Sequence, residues 1–210
     1  MLHDIRKQYE FSVLTEKDVH SNPFEQFKLW LQAAIDSEES EPTAMVVSTV
    51  DSHWQPHSRV VLLKDFSENG LTFYTNYEGN KARQIAENNR VSMLFFWQTL
   101  ERQVRITGKA EKLPENVSVD YFKSRPVDSR LGAWASPQSR VIENYEVLDT
   151  RYDNYKKQFG ENVPKPPHWG GYLVRPLTFE FWQGRPNRLH DRLYFSLINE
   201  NEWKIERLAP

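Results

Sequence analysis

Apolar and polar residues alternate along this chain with two different periods, and the places where the period changes divide it into elements. The first twenty residues are polar with no sustained period, which predicts a mobile arm over residues 1–20 ahead of a single domain over residues 21–210. A helix then starts on a clear signature: Asn22 can cap, Pro23 suits the first turn, and Glu25 stands three residues beyond the cap. Phe24, Phe27, Leu31, Ala34 and Ile35 recur at helical spacing as its buried stripe, and the polar stretch 37–41 with Pro42 ends it.

From residue 43 the period falls to two. Strands are expected at 43–50, 58–64 and 71–75, with turns at 51–56 and 67–70. A short helix fits 80–87, and 90–97 is a nearly continuous apolar strand. Over 102–113, Val104, Ile106 and Ala110 face one way while Gln103, Arg105 and Thr107 face the other. The middle is helical: one segment runs 115–123 and stops before Pro126. Val141, Tyr145, Leu148, Tyr152, Tyr155 and Phe159 then follow an amphipathic spacing closed by Gly160, a seam to pack on the strands or on a second subunit. Beyond the proline-rich loop at 164–167, strands are expected at 171–183, 189–197 and 202–208. Five short strands joined by turns ahead of the helical middle, rather than strand–helix–strand units, predict a mainly β protein with peripheral helices, an α+β barrel.

Composition narrows the function. The chain has 210 residues, a formal net charge of -2 and no cysteine. That length suits one domain with a sizeable core, and the charge favours neither nucleic acid nor a membrane surface. The lack of cysteine removes thiol catalysis, disulfides and cysteine-ligated metals, and fits a reducing cytoplasm. The N-terminus has no apolar signal segment and no stretch reaches eighteen apolar residues, so a cytoplasmic protein is expected. His3, His20, His53, His57 and His168 show no metal-ligand spacing, and no metalloprotease, Walker, Rossmann or nucleophile-elbow motif is present; no metal is expected.

Several clusters could carry chemistry. Arg59 and Lys64 end the apolar run Val60-Val61-Leu62-Leu63; their offset of five puts them on opposite strand faces, so they serve different anions or simply snorkel outward. Tyr74 and Thr75 end a strand and Lys81 opens the next helix, suitable parts for a phosphate site. Tyr121 and Arg125 are four apart on a predicted helix, with Ser129 just past Pro126. Phenol, guanidinium and hydroxyl together suit a phosphate dianion, or else a surface Tyr–Arg contact with a capping serine. Gly184-Arg185-Pro186-Asn187 reads as a turn; if a strand follows at once, Arg188, His190 and Arg192 share a face. Such a strand is either a charge-protected edge or a row of cations set against an anion or an electron-rich ring.

Eight ordered blocks give the chain a resemblance from about Arg6 to its end. They are the run from Arg59 to Lys64, Phe73-Tyr74-Thr75-Asn76, Leu100-Glu101-Arg102-Gln103-Val104 and Tyr121-Phe122-Lys123-Ser124-Arg125-Pro126. The others are Pro137-Gln138-Ser139, Phe181-Trp182-Gln183-Gly184, Arg188-Leu189-His190-Asp191-Arg192 and Trp203-Lys204-Ile205-Glu206-Arg207-Leu208-Ala209-Pro210. In these it resembles the pyridoxamine (pyridoxine) 5′-phosphate oxidase family. The resemblance implies a homodimer of FMN-binding split β-barrels with two flavin sites at the subunit interface. It also implies oxidation of pyridoxamine 5′-phosphate or pyridoxine 5′-phosphate to pyridoxal 5′-phosphate, with hydride transfer to FMN and reoxidation by dioxygen giving hydrogen peroxide. By the same resemblance FMN is held by Arg59, Val60, Val61, Leu62, Leu63, Lys64, Tyr74, Thr75, Lys81, Gln103, Gln138, Ser139, Trp182 and Arg192. The substrate phosphate matches Lys64, Tyr121, Arg125 and Ser129. Arg188 and His190 match catalytic positions that cover the substrate ring, and Arg6 and Tyr9 match an N-terminal lid. One departure stands out: Asn80 occupies a place where the family often has a basic residue. A split-barrel flavin reductase using a nicotinamide donor would not need the Tyr121, Arg125 and Ser129 set. A carrier storing FMN or pyridoxal 5′-phosphate would bind without turnover.

Overall fold

A computed structural model describes residues 2–4, 8–200 and 202–210. Its strands are β1 (Ala44–Val50), β2 (Pro56–Leu62), β3 (Asp65–Ser67), β4 (Gly70–Asn76), β5 (Arg90–Trp97), β6 (Arg102–Lys112), β7 (Trp169–Gln183), β8 (Asp191–Asn199) and β9 (Glu202–Arg207). The helices are α1 (Pro23–Ile35), α2 (Asn80–Glu87), α3 (Glu115–Ser124), α4 (Val127–Ala135) and α5 (Glu146–Phe159). Among the described residues the strands form one antiparallel sheet in the order β2-β1-β5-β6-β7-β4-β3, extended from β7 by β8 and β9.

The branching of this sheet comes from β7. Its first six residues pair with β4 and its last six with β8, while β6 runs along both parts. Pro176 sits where β7 changes partner, and a proline has no N–H to give a ladder. Opposite it the β6 register shifts between Thr107 and Gly108. A Cβ on Gly108 would lie 2.3 Å from the Arg175 carbonyl oxygen, so only glycine lets the strands close up at this bend.

Alternation then fills the interior. Val104, Ile106 and Ala110 of β6 are buried as expected, beside Phe95, Phe179, Phe181 and Phe195 from neighbouring strands. Helix α1 covers this core, with Phe27 against Phe66 and Phe95, Trp30 against Phe181, and Phe24 against Phe179. Full burial of one such ring stabilises by about 1.5–3 kcal/mol. Asn22 caps α1 by accepting the Phe24 N–H at 2.9 Å. Its own N–H donates to His20 Nδ1 rather than to Glu25. Trp30 takes the buried place expected of Ile35, which is half-exposed.

Three other expectations need correction. Residues 127–135 form α4, which the sequence pattern did not signal. The helix expected from Val141 starts only at Glu146, so Val141 and Tyr145 lie exposed before it. Its Tyr155 and Phe159 pack on Trp134 of α4, in a second small core built on Phe122, Leu131, Val163 and Trp169. Finally, Pro186–Arg188 is a turn of 3-10 helix and β8 begins only at Asp191. Asn187 and Arg188 take φ of 58° and 63°, so strand parity does not govern Arg188 and His190, and the three basic residues do not share a strand face. No helix among the described residues is long and apolar enough to cross a membrane.

Candidate active site

A cavity of ≈ 670 Å³ opens between β2, the end of β4, α2 and the α3–α4 pair. This size lies in the range of small-molecule and cofactor sites. Of the candidate residues, Val60, Val61, Leu62, Lys64, Tyr74, Thr75, Lys81, Tyr121, Arg125, Ser129 and Gln138 line it. None of the lining residues is a carboxylate or a histidine.

On one side stands an aromatic wall. Tyr121 stacks on Tyr74 with ring centroids 3.9 Å apart, and Tyr74 stacks on Trp169 at 5.3 Å. Arg125 is not on the α3 face the sequence implied; it caps the helix in an extended conformation. Its guanidinium lies over Trp169 at 4.9 Å and toward Phe122 at 5.7 Å. Its Nη1 is buried with no hydrogen-bond partner in the protein. Burial pushes the Arg125 pKa down and the Tyr121 pKa up, so the phenol remains a neutral donor. Ser129 joins them from the first turn of α4, and Lys64 from just beyond β2.

On the other side is a compact polar knot. Lys81 Nζ donates to Thr75 Oγ1 at 2.8 Å and to Gln138 Oε1 at 2.7 Å. Ser139, at a left-handed φ of 67°, accepts the Asn80 N–H at the start of α2. Burial first, and the charge of Arg59 second, lower the Lys81 pKa to about 8. Arg59 itself does not line the cavity: it donates to the Val47 and His57 carbonyls, to Thr49 Oγ1 and to Gln84 Oε1. Among the described residues no carboxylate pairs with Arg59, Lys64, Lys81 or Arg125. Arg59 and Lys81 are held by neutral acceptors and Arg125 lies over rings, while Lys64 is exposed at the cavity mouth, an arrangement that suits anionic ligands. Asn80 accepts from Arg83 Nη2 at the same helix start. Leu63 lies in the core.

The remaining candidates form a second group elsewhere. Gln103, Trp182 and Arg192 are direct neighbours across β6, β7 and β8, on the face opposite the buried Val104, Phe181 and Leu193. Buried Glu180 holds Arg192 Nε at 2.8 Å and Arg105 at 3.2 Å. His190 stacks obliquely on Trp182 at 4.6 Å, with Tyr9 edge-on to both. Arg185 N–H donates to His190 Nδ1 at 3.1 Å, which leaves the ring proton on Nε2. Burial and the nearby Arg188 charge lower the His190 pKa, so it is neutral at physiological pH. Arg188 is exposed in the preceding turn, and Arg6 lies outside the described residues.

The two groups sit at opposite ends of β7. Gly171, opposite Tyr74, and Trp182, opposite Gln103, are eleven residues apart on that strand. At ~3.3 Å per residue the separation is on the order of 30 Å, too far for one chain to set both groups around one ligand. Sequence reasoning missed Trp169, because an aromatic at a strand start reads equally well as core.

Comparison with known proteins gives a consistent result. The family described as pyridoxamine 5′-phosphate oxidase matches residues 31–159. The pyridoxine 5′-phosphate oxidase C-terminal dimerisation region matches residues 169–210. A Gloeothece citriformis protein named pyridoxine/pyridoxamine 5′-phosphate oxidase is 51% identical over 99% of this chain and 97% of its own. One of the same name from Cupriavidus necator is 49% identical over 100% and 99%. Among solved structures, PhzG from Burkholderia lata, in complex with tetrahydrophenazine-1-carboxylic acid, superposes with a TM-score of 0.88 at 30% identity, covering 94% of this chain and 98% of that one. A Nostoc punctiforme protein described as pyridoxamine 5′-phosphate oxidase-related and FMN-binding shares the fold, with a TM-score of 0.72 at 16% identity over 90% and 98% of the two chains.

Proposed function

The chain belongs to the pyridoxamine 5′-phosphate oxidase family, and we propose that it oxidises pyridoxamine 5′-phosphate and pyridoxine 5′-phosphate at C4′ to pyridoxal 5′-phosphate. The observation that carries this reading is the pair of separate anion-ready sets on one cavity. Arg125, with its unpartnered Nη1, is the centre of one, and Lys81 with Thr75 and Gln138 is the centre of the other. The second set fits the phosphate of FMN: its ammonium is desolvated and ringed by neutral acceptors. Held there by Lys81, Thr75 and Gln138, FMN would supply the hydride acceptor and the route of the electrons to dioxygen, with hydrogen peroxide as the by-product.

The protein supplies position. Lys64, Tyr121, Arg125 and Ser129 bind the substrate phosphate, which orients the ring and turns an encounter into an intramolecular step. With no carboxylate or histidine on the cavity wall, these residues act by binding rather than by proton abstraction. Neutral His190, its proton held on Nε2, donates toward the substrate ring, and Arg188 adds charge beside it. Both come from a second copy, because one chain holds them at the far end of β7. The match to a C-terminal dimerisation region supports this composite site. So do Val60 and Phe96, 64% and 50% exposed on the outer face of the sheet. The absence of cysteine supports a cytoplasmic setting. A single-charged carboxylate such as the ligand named for the Burkholderia lata structure makes less use of two cations, so phosphate esters are the substrate class. Adding pyridoxamine 5′-phosphate to aerobic, FMN-loaded protein tests the reading; water supplies the aldehyde oxygen as the amine leaves, so the expected products are pyridoxal 5′-phosphate, ammonia and hydrogen peroxide in equal amounts.

A further inference from the structure

The N-terminal arm reaches the His190 end of the site through a contact that the cavity and its cations do not explain. Glu101 closes the turn between β5 and β6 with a left-handed φ of 54°, uncommon for a residue with a side chain, and is only 6% exposed. Its carbonyl accepts the Gly184 N–H at 2.8 Å and the Gln183 side-chain amide at 3.2 Å, which bolts it to the end of β7. Its carboxylate Oε2 accepts the N–H groups of Glu10 and Phe11 at 2.8 and 3.0 Å. Hydrogen bonds to an ionised acceptor are among the strong ones.

The residue beside this clasp is Tyr9, whose ring meets Trp182 at 5.6 Å and His190 at 5.7 Å. Gly184 makes room for it: a Cβ there would stand 2.7 Å from Tyr9 Cγ. We infer that Glu101 is a positioning residue, holding Tyr9 against Trp182 and His190 and so fixing the imidazole that the proposed reaction uses. The inference rests on that reading for its kinetic consequence, though not for the contact itself. Further along, the arm is anchored separately. Leu14 is buried and donates to Asp191 Oδ2 at 3.1 Å, and Arg207 grips Glu16 and the Leu14 carbonyl. Releasing Glu101 therefore frees the stretch around Tyr9 and leaves the rest of the arm docked.

The test compares Glu101→Ala, Tyr9→Ala and the double variant in FMN-loaded protein, with Glu101→Gln as the conservative control. Glu101→Ala is expected to speed hydrogen exchange at the Glu10 and Phe11 amides by about tenfold or more. It should lower kcat/KM for pyridoxine 5′-phosphate as far as Tyr9→Ala does, and the double variant should be no worse. Glu101→Gln, whose Oε1 can still accept both N–H groups, should recover most of the loss. Gly184→Ala, which displaces Tyr9 from the other side, should reproduce the kinetic loss with Glu101 intact. Wild-type exchange in Glu101→Ala, wild-type kinetics despite fast exchange, or additive losses in the double variant would each overturn the inference. If the oxidase reading itself fails, every form lacks turnover. Exchange, and a near-ultraviolet dichroism change shared by Glu101→Ala and Tyr9→Ala, then decide whether Glu101 holds Tyr9.

Discussion

Replacing Arg125 with alanine separates binding from folding more cleanly than other changes at this site. The guanidinium has no carboxylate partner among the described residues, so its removal strands no buried anion. What the fold loses is contact with Trp169 at 4.9 Å and Phe122 at 5.7 Å, about 0.5–2 kcal/mol for partly desolvated cation–π pairs. Against this, a buried donor without a partner disappears, which returns ~1–3 kcal/mol of desolvation cost. The two nearly cancel, so the melting temperature of the protein without substrate should barely move. The substrate complex should lose a charge-assisted contact of roughly 1.5–3 kcal/mol, or about 10- to 150-fold in affinity. Titrating pyridoxal 5′-phosphate or substrate against the FMN-loaded variant, beside a thermal melt, measures both quantities. Equal losses of FMN and substrate affinity would place Arg125 at the other phosphate. A fall in melting temperature with unchanged substrate affinity would refute the reasoning outright.

Three further outcomes are expected. Lys81 is protonated below its lowered pKa of about 8 and neutral above it, and only the ammonium attracts a phosphate. FMN affinity should therefore weaken as pH rises through that value, with proton uptake on binding above it; a flat profile between about pH 7 and 9.5, or an identical profile in Lys81→Met, would contradict this. Arg188→Ala should lower kcat/KM with part of the loss in kcat while the FMN spectrum and dimer persist, and His190→Ala should do so more weakly because its ring is neutral; loss of thermal stability alone in both would mark the turn as structural. Mixing Arg125→Ala and Arg188→Ala protomers should raise kcat/KM, read at low substrate, from the residual level of either variant to about a quarter of wild type, since half the dimers become hybrids with one intact site; no rise under subunit exchange would rule out a site shared between copies.

Local signals were legible where the pattern was strong. Helix α2 and strand β5 begin and end where the alternation and turn residues place them, and the buried row of β6 follows its period of two. Helix α4 escaped because Pro126 reads as a stop and Gly132 interrupts its apolar spacing. Arg188 was misread for the opposite reason: Pro186 starts a 3-10 turn, and two left-handed residues break the strand phase. Within the site, the Lys81 and Arg125 sets could be read as residue types suited to phosphate. Their separation from the His190 group could not, because it depends on which strands pair with each end of β7. Glu101 stood in the sequence only as one member of the block from Leu100 to Val104, with no role of its own, since its work is done ninety residues away in sequence, on Glu10 and Phe11.

The aerobic reaction itself decides whether this protein is an oxidase. Purified protein loaded with FMN is given pyridoxamine 5′-phosphate, and pyridoxal 5′-phosphate and hydrogen peroxide are followed together. Both are expected to appear in equal amounts over many turnovers, without any nicotinamide donor. Binding of the substrate with no oxidation would mean a carrier, and flavin reduction only on adding a nicotinamide donor would mean a reductase; either result would show that the protein is not a pyridoxamine 5′-phosphate oxidase.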